Sequence, residues 1–288
     1  MAISRRVFSG GLTCRKFPGG IGSKSTAKNF TGGIITIMFT PGPILGEFFG
    51  TLVLVVFGDG NVANLVLKDS KANGSNWVHI CWGWAWAVGL GVFAANALGS
   101  AQGDLNPVVT VAKTLAGTYG SWGEAFGIIV AQMCGGFCGG VVVWLAYLDH
   151  WKGSDPSAQL GVFCTAPNKS EKDRSLPCCF LTEAIATFFL VTLIMCVFSE
   201  GVATKAGFTP GVGTFLVAGI IYGLGAALGG PTGYALNPAR DLSPRIAHFV
   251  LPIPGKRDSD WAYSWVPVVG PLVGAVVAYF FCHAVGIM

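Results

Sequence analysis

The sequence predicts an all-α membrane protein: six transmembrane helices and two re-entrant half-helices in an inverted repeat. Three observations carry that expectation. Only 11% of the 288 residues are charged and 52% are hydrophobic, whereas a soluble domain carries about 25% charged residues. Several apolar runs reach the ~20 residues that span a bilayer. An Asn-Pro pair occurs twice, at Asn106-Pro107 and Asn237-Pro238, each at the same place in its half of the chain.

In chain order, residues 1–43 form a basic arm. Arg5, Arg6, Arg15, Lys16, Lys24 and Lys28 all precede the first acid, Glu47. The arm admits three readings: a disordered cytoplasmic tail obeying the positive-inside rule, an acid-free organelle transit peptide, or a translated extension ahead of a true start at Met38. Residues 44–288 form the membrane domain. Hydropathy gives spans over Ile44–Leu67, Trp77–Leu98, Trp122–Leu148, Cys178–Phe198, Gly211–Leu228 and Trp265–Ile287. Gly99–Ser121 and Gly229–Tyr263 are apolar after their Asn-Pro pairs but too short to cross. They are expected to be re-entrant, which is tolerated only where backbone is buried in protein or lines a cavity. Trp261, Tyr263 and Trp265 mark an interfacial aromatic belt.

The halves repeat, one over about 44–148 and one over about 178–288. Glu47-Phe48-Phe49-Gly50-Thr51 opens the first span and Glu183-Ala184-Ile185-Ala186-Thr187 the fourth. Each glutamate precedes its Asn-Pro by a similar stretch, 59 positions (106 − 47) and 54 positions (237 − 183). Three spans per half is odd, so the second copy is inverted, a recurrent architecture for transport. With both termini inside, the six arm residues plus Lys113 and Lys205 on the inner side match eight basic residues in the outer loops, so charge sets no orientation.

Asn before Pro starts a helix well: Asn caps free N–H groups, and Pro at the first position loses no hydrogen bond. Two such helices meeting inside a membrane aim two positive dipole ends at one point. Asn106 and Asn237, with Pro107 and Pro238, are therefore expected to cap half-helices and to offer side-chain amides to a passing oxygen. Arg240 lies at membrane depth, where an arginine costs ~2.5 kcal/mol or more and signals function. Glu47 and Glu183 read as the only acids well inside spans, and their equivalent placement favours bracing of the re-entrant loops over a proton relay.

The paired motifs, and above all Thr232-Gly233-Tyr234-Ala235-Leu236-Asn237-Pro238-Ala239-Arg240-Asp241, resemble the aquaporin superfamily in its glycerol-facilitator (aquaglyceroporin) branch. The resemblance runs from about Ile44 to the C-terminus. It implies a passive channel for glycerol, water and other small neutral solutes such as urea, in a lipid bilayer, assembled as a homotetramer with one pore per subunit. It implies a selectivity constriction of Trp86 (twenty before Asn106), Gly225 (twelve before Asn237), Tyr234 and Arg240, in which two aromatic walls face an arginine and Gly225 supplies width. Asp241 marks the branch and is expected to pair with Arg245, four residues on; Pro267 follows the same branch pattern. Two departures stand out. Val108 replaces the alanine of the usual Asn-Pro-Ala, and Gln102-Gly103-Asp104 puts an acid where many members carry histidine.

Other classes lack their residues. No Ser/His/Asp set, phosphate loop or metal spacing is present, so neither an enzyme, a metal site nor a cofactor is expected, and no nucleic-acid partner. A water-selective channel is the nearest competitor, and a secondary active transporter a more distant one. The expected location is the cell membrane, multi-pass, or an organelle membrane if the arm is a transit peptide. Cys164, Cys178 and Cys179 bracket one polar loop and are a possible bridge; Asn73 and Asn168 match short glycosylation motifs.

Overall fold

The computed structural model describes residues 41–209 and 211–287. The basic arm therefore lies outside the described residues, apart from its last positions. The first repeat comprises α1 (Pro43–Val66), α2 (Trp77–Ala97), the half-helix α3 (Pro107–Leu115) and α4 (Trp122–Ala146). A short helix, α5 (Pro156–Phe163), lies in the linker. The second repeat comprises α6 (Leu176–Phe198), α7 (Val212–Leu228), the half-helix α8 (Pro238–Val250) and α9 (Val266–Ala284). Five of these are long and apolar enough to cross a membrane. The sixth, α7, has 17 residues, about 25 Å at 1.5 Å per residue, at the short end of the spanning range.

Local chemistry sets the boundaries. Asn76, Ser121 and Ser175 each accept from the backbone N–H three residues on, at 3.3, 3.1 and 3.5 Å, giving α2, α4 and α6 their N-caps. Helix α5 was not expected. Asp155 starts it, accepting from Ser157 N and Ala158 N, both at 2.9 Å, with Pro156 in the first turn. It packs on α1 and α8, and the chain beyond it carries Thr165 to the motif region.

The repeat is visible in the packing. Helix α1 packs on α2 and α4, as α6 packs on α7 and α9; each half-helix packs on the last span of the other repeat, α3 on α9 and α8 on α4. Gly135-Gly136 and Gly139-Gly140 make this possible on α4. A Cβ at Gly135 would sit 2.2 Å from the Phe48 carbonyl oxygen of α1, and one at Gly136 would sit 2.1 Å from that of Ala239 on α8. The glycine-rich face thus serves contacts within the subunit, where small residues let backbones approach. Outward-facing Phe126, Phe215 and Phe280 are 60–67% exposed, a surface suited to lipid. Of the three linker cysteines, Cys164 and Cys179 are buried, Cys178 is exposed, and all are free. Asn73 donates its side-chain amide to the carbonyls of Leu65 and Leu67.

Outside the spans, two ion pairs tie the linker to the approach to α9, the exposed Arg257–Glu171 and the nearly buried Arg174–Asp260. Arg174 donates twice to Asp260, at 2.5 and 2.8 Å, with both side chains nearly buried. Burial pushes the Asp260 carboxyl up, but hydrogen bonds and charge from Arg174, with Arg245 and Arg257 adding to it, outweigh burial and hold it below the usual range. A depressed carboxyl contributes stability that is fully present above the unfolded value near 3.9 and is lost as pH falls through the folded one. We expect Asp260→Asn to lower the thermal midpoint in detergent by about 5 °C and to flatten its decline below pH ~4. An unchanged midpoint would show that the pair adds no stability.

Candidate functional site

The two half-helices meet tip to tip. Asn106 Oδ1 accepts from Val108 N at 3.1 Å, and Asn237 Oδ1 accepts from Ala239 N at 2.8 Å and Arg240 N at 3.2 Å. The side-chain amides cross over. Asn106 Nδ2 donates to the Leu236 carbonyl at 2.9 Å, and Asn237 Nδ2 donates to the Leu105 carbonyl at 2.7 Å. Each amide has two hydrogens, so one fastens the opposite repeat and one remains for the cavity that both asparagines line.

The accepting leucines are strained. Leu105 and Leu236 sit at φ 52° and 58°, the left-handed region, which costs ~1–3 kcal/mol for a non-glycine residue. Buried carboxylates hold both. Glu47 accepts from Asp104 N at 2.9 Å and Leu105 N at 2.8 Å, and from Ser100 Oγ and Gln132 Nε2. Glu183 accepts from Ala235 N and Leu236 N, both at 3.0 Å. Charge-assisted bonds of this kind are the strong ones. Leu105, Leu236 and Gln132 were not singled out in the sequence; the leucine before each Asn-Pro was the available signal.

A narrow cavity runs past this junction from Arg240 to Lys113, with about 80 Å³ open to the centres of water molecules. Leu54, Val88, Leu190, Ile194 and Ile221 give it an apolar wall. Asn106, Asn237 and Arg240 supply donors along it.

At the Arg240 end the guanidinium lies over the Trp84 ring, 3.7 Å from its centroid, and Tyr234 lines the same stretch. This corrects the expected tryptophan. Trp86 is 38% exposed and packs edge-on against Trp82 and Phe215, whereas Trp84 is 3% exposed. Successive helical residues turn by about 100°, so two residues apart means opposite faces, and only one of the pair can face inward. Gly225 is also corrected: it does not line the cavity but stands behind Tyr234. A Cβ there would lie 2.6 Å from Tyr234 Cζ and 2.9 Å from Cys81 Sγ. Trp77 closes the back of the slot, edge-on to Tyr234 and donating from Nε1 to the Gly225 carbonyl at 2.9 Å.

Asp241 and Arg245 do not reach the cavity. Asp241 accepts from Thr165 N and Oγ1, both at 2.7 Å, and from Arg245 Nη2 at 2.9 Å. Arg245 also donates to the carbonyls of Thr165, Ser259 and Asp260, so this buried pair fastens two loops to α8. At the other end, Asp104 accepts from Thr110, Tyr119 and Lys113, placing an ion pair at the mouth. Val108, on α3, is buried. Glu47 and Glu183 are not the only acids inside spans: Asp59 on α1 is fully buried, 3.9 Å from Arg240. Among the described residues no group of three or more His, Cys, Asp or Glu is placed to hold a metal.

The model of the major intrinsic protein family matches residues 37–282. A probable glycerol uptake facilitator protein of Thermotoga maritima is 45% identical over 81% of this chain and 94% of its own length. Glycerol uptake facilitator protein 3 of Lactiplantibacillus plantarum is 46% identical over 81% and 92%. Among solved structures, the aquaglyceroporin of Plasmodium falciparum superposes with a TM-score of 0.71 at 30% identity, covering 83% of this chain and 93% of that one.

The two tryptophans can be told apart by substitution. In proteoliposomes, Trp84→Ala is expected to change the ratio of large-polyol to small-polyol uptake by about tenfold, while Trp86→Leu, a change on the outer face, shifts it less than twofold. Gly225→Ala is expected to drive the Tyr234 ring into the slot and cut glycerol uptake more than water uptake. Equal losses of both would put Tyr234 outside the narrowest point.

Proposed function

The chain belongs to the major intrinsic protein family, and from that premise we propose that it is a passive multi-pass membrane channel conducting glycerol and other small neutral solutes, with water, while excluding ions and protons. The observation that carries this reading is the slot itself: Arg240 stacked on Trp84, with Tyr234 in the same lining, opening onto a cavity lined largely by apolar side chains. Rings suit a carbon backbone, and fixed donors suit its hydroxyls. The names of the similar glycerol facilitators point the same way.

Exclusion follows from electrostatics. Both half-helix N-termini present about +0.5 charge to the junction, and stripping an ion of water costs tens of kcal/mol in the Born limit. A cation meets no ligand set that repays this. The remaining amide hydrogens of Asn106 and Asn237 orient a passing oxygen, so successive molecules are held by the pore rather than by one another. A water-selective channel is disfavoured by the room behind Tyr234 at Gly225 and by Asp241, which resembles the glycerol branch. A gradient-driven transporter would need free carboxylates at the midplane; the oxygens of Glu47 and Glu183 are taken by backbone N–H groups, and Asp59 stands beside the Arg240 guanidinium.

Each subunit holds its own pore in this reading, and four subunits assemble as a homotetramer in the cell membrane. Stopped-flow light scattering on proteoliposomes should show glycerol uptake that rises linearly with concentration and is indifferent to proton or sodium gradients. Saturation or gradient dependence would turn the reading toward a carrier. Co-assembling parent subunits with pore-blocked ones should lower flux in proportion to the blocked fraction; a steeper loss would argue for a shared path.

A further inference from the structure

The fixed charges that face the pore are mostly positive, yet the proposed cargo is neutral. Two half-helix N-termini and a guanidinium make an attractive site for a small anion. Each half-helix tip has a carboxylate bound to the backbone just before it, Glu47 for α3 and Glu183 for α8. Arg245 has Asp241. Arg240 is left, and its side chain makes no hydrogen bond within the described residues. Its fixed contacts are the Trp84 ring and the carboxylate of Asp59 at 3.9 Å.

Asp59 is equally short of partners. It is fully buried, and neither carboxylate oxygen has a hydrogen bond. A buried carboxylate without donors is costly unless a charge stands beside it. Its neighbour on α1 completes the support. A Cβ at Gly58 would lie 2.1 Å from Trp84 Cζ3, so the Trp84 ring lies directly on the α1 backbone. Gly58 thus backs the ring and Asp59 backs the cation stacked on it.

We propose that Asp59 is the counter-charge of the constriction: it positions the Arg240 guanidinium on Trp84 and cancels its charge, so that the slot turns away small carboxylate anions as well as cations. The inference rests on the channel reading above. Asn has nearly the shape of Asp and lacks the charge, so Asp59→Asn isolates the electrostatic role. In that variant Arg240 is an uncompensated cation held by the Trp84 ring alone, with free donors that can take a carboxylate.

The test uses the full chain in proteoliposomes at neutral pH, with glycerol and sodium formate as probes and protein-free vesicles as background. The parent is expected to pass glycerol and no formate above background; absence of glycerol uptake by the parent would sink the channel reading and leave Asp59 out of it. Asp59→Asn is expected to raise the formate-to-glycerol permeability ratio about tenfold or more, and formate is expected to inhibit its glycerol uptake. An Asp59→Asn channel that conducts glycerol, passes no formate and is not inhibited by it overturns the proposal. Should that variant fail to reach the vesicles, a second pair decides. Arg240→Gln leaves Asp59 as a lone charge and is expected to leak sodium about tenfold more than the double variant Asp59→Asn/Arg240→Gln. Equal leaks in the two would also overturn it.

Discussion

The structure depends on one crossed pair of hydrogen bonds: Asn106 to the carbonyl before Asn237, and Asn237 to the carbonyl before Asn106. Two helices that begin at the middle of a membrane leave six orphan backbone N–H groups, four per N-terminus less one for each proline, with no bulk water to satisfy them. Here the problem is solved reciprocally. Each asparagine caps its own helix with its oxygen and fastens the opposite chain with its nitrogen. For the carbonyls of Leu105 and Leu236 to face across, both residues turn into left-handed backbone. That turn exposes their N–H groups on the far side, where Glu47 and Glu183 wait. A buried carboxylate, a strained leucine and a capping asparagine therefore form one unit, present twice.

Much of this was legible. Spans, half-helices and repeat follow from hydropathy and from Asn-Pro chemistry, because a bilayer punishes any other arrangement of those runs. The symmetric position of Glu47 and Glu183 pointed to a shared bracing task. Rotational register was not legible by counting. Twenty positions before Asn106 stands Trp86, while the inward ring is Trp84, 22 positions before it (106 − 84). A tryptophan at every second position from 82 to 86 hides the face, since each is equally apolar. The usable signal was the run Trp84, Val88, Val92, one face of a helix at intervals of four, all lining the cavity. Symmetry does not mark Asp59: twelve residues after Glu183, as Asp59 is after Glu47, stands Met195. This departure from the repeat is also the acid beside Arg240. Helix α5 and its delivery of Thr165 to Asp241 depended on a contact across 76 positions, which no local pattern encodes.

Close packing turns the brace into a selectivity device. Tyr234, also in left-handed backbone at φ 41°, lies directly before the two amides that Glu183 binds. Arg240 lies three residues after Asn237, in the first turn that this residue caps. The Glu183 carboxylate therefore fixes, within one short segment, both the half-helix tip and the two slot residues on either side of it. Facing walls come from elsewhere: Trp84 from α2, supported by Gly58 of α1, and the space for Tyr234 from Gly225 of α7. A slot contributed by this many elements holds its width only if none can slide. The glycine contacts of α4 against α1 and α8 supply that rigidity, since interiors packed to contact do not deform continuously. Solute selection by width is thus a property of backbone approach distances set far from the slot, and a methyl group added at Gly135 or Gly136 would be felt at Arg240 through the displacement of α1 and α8.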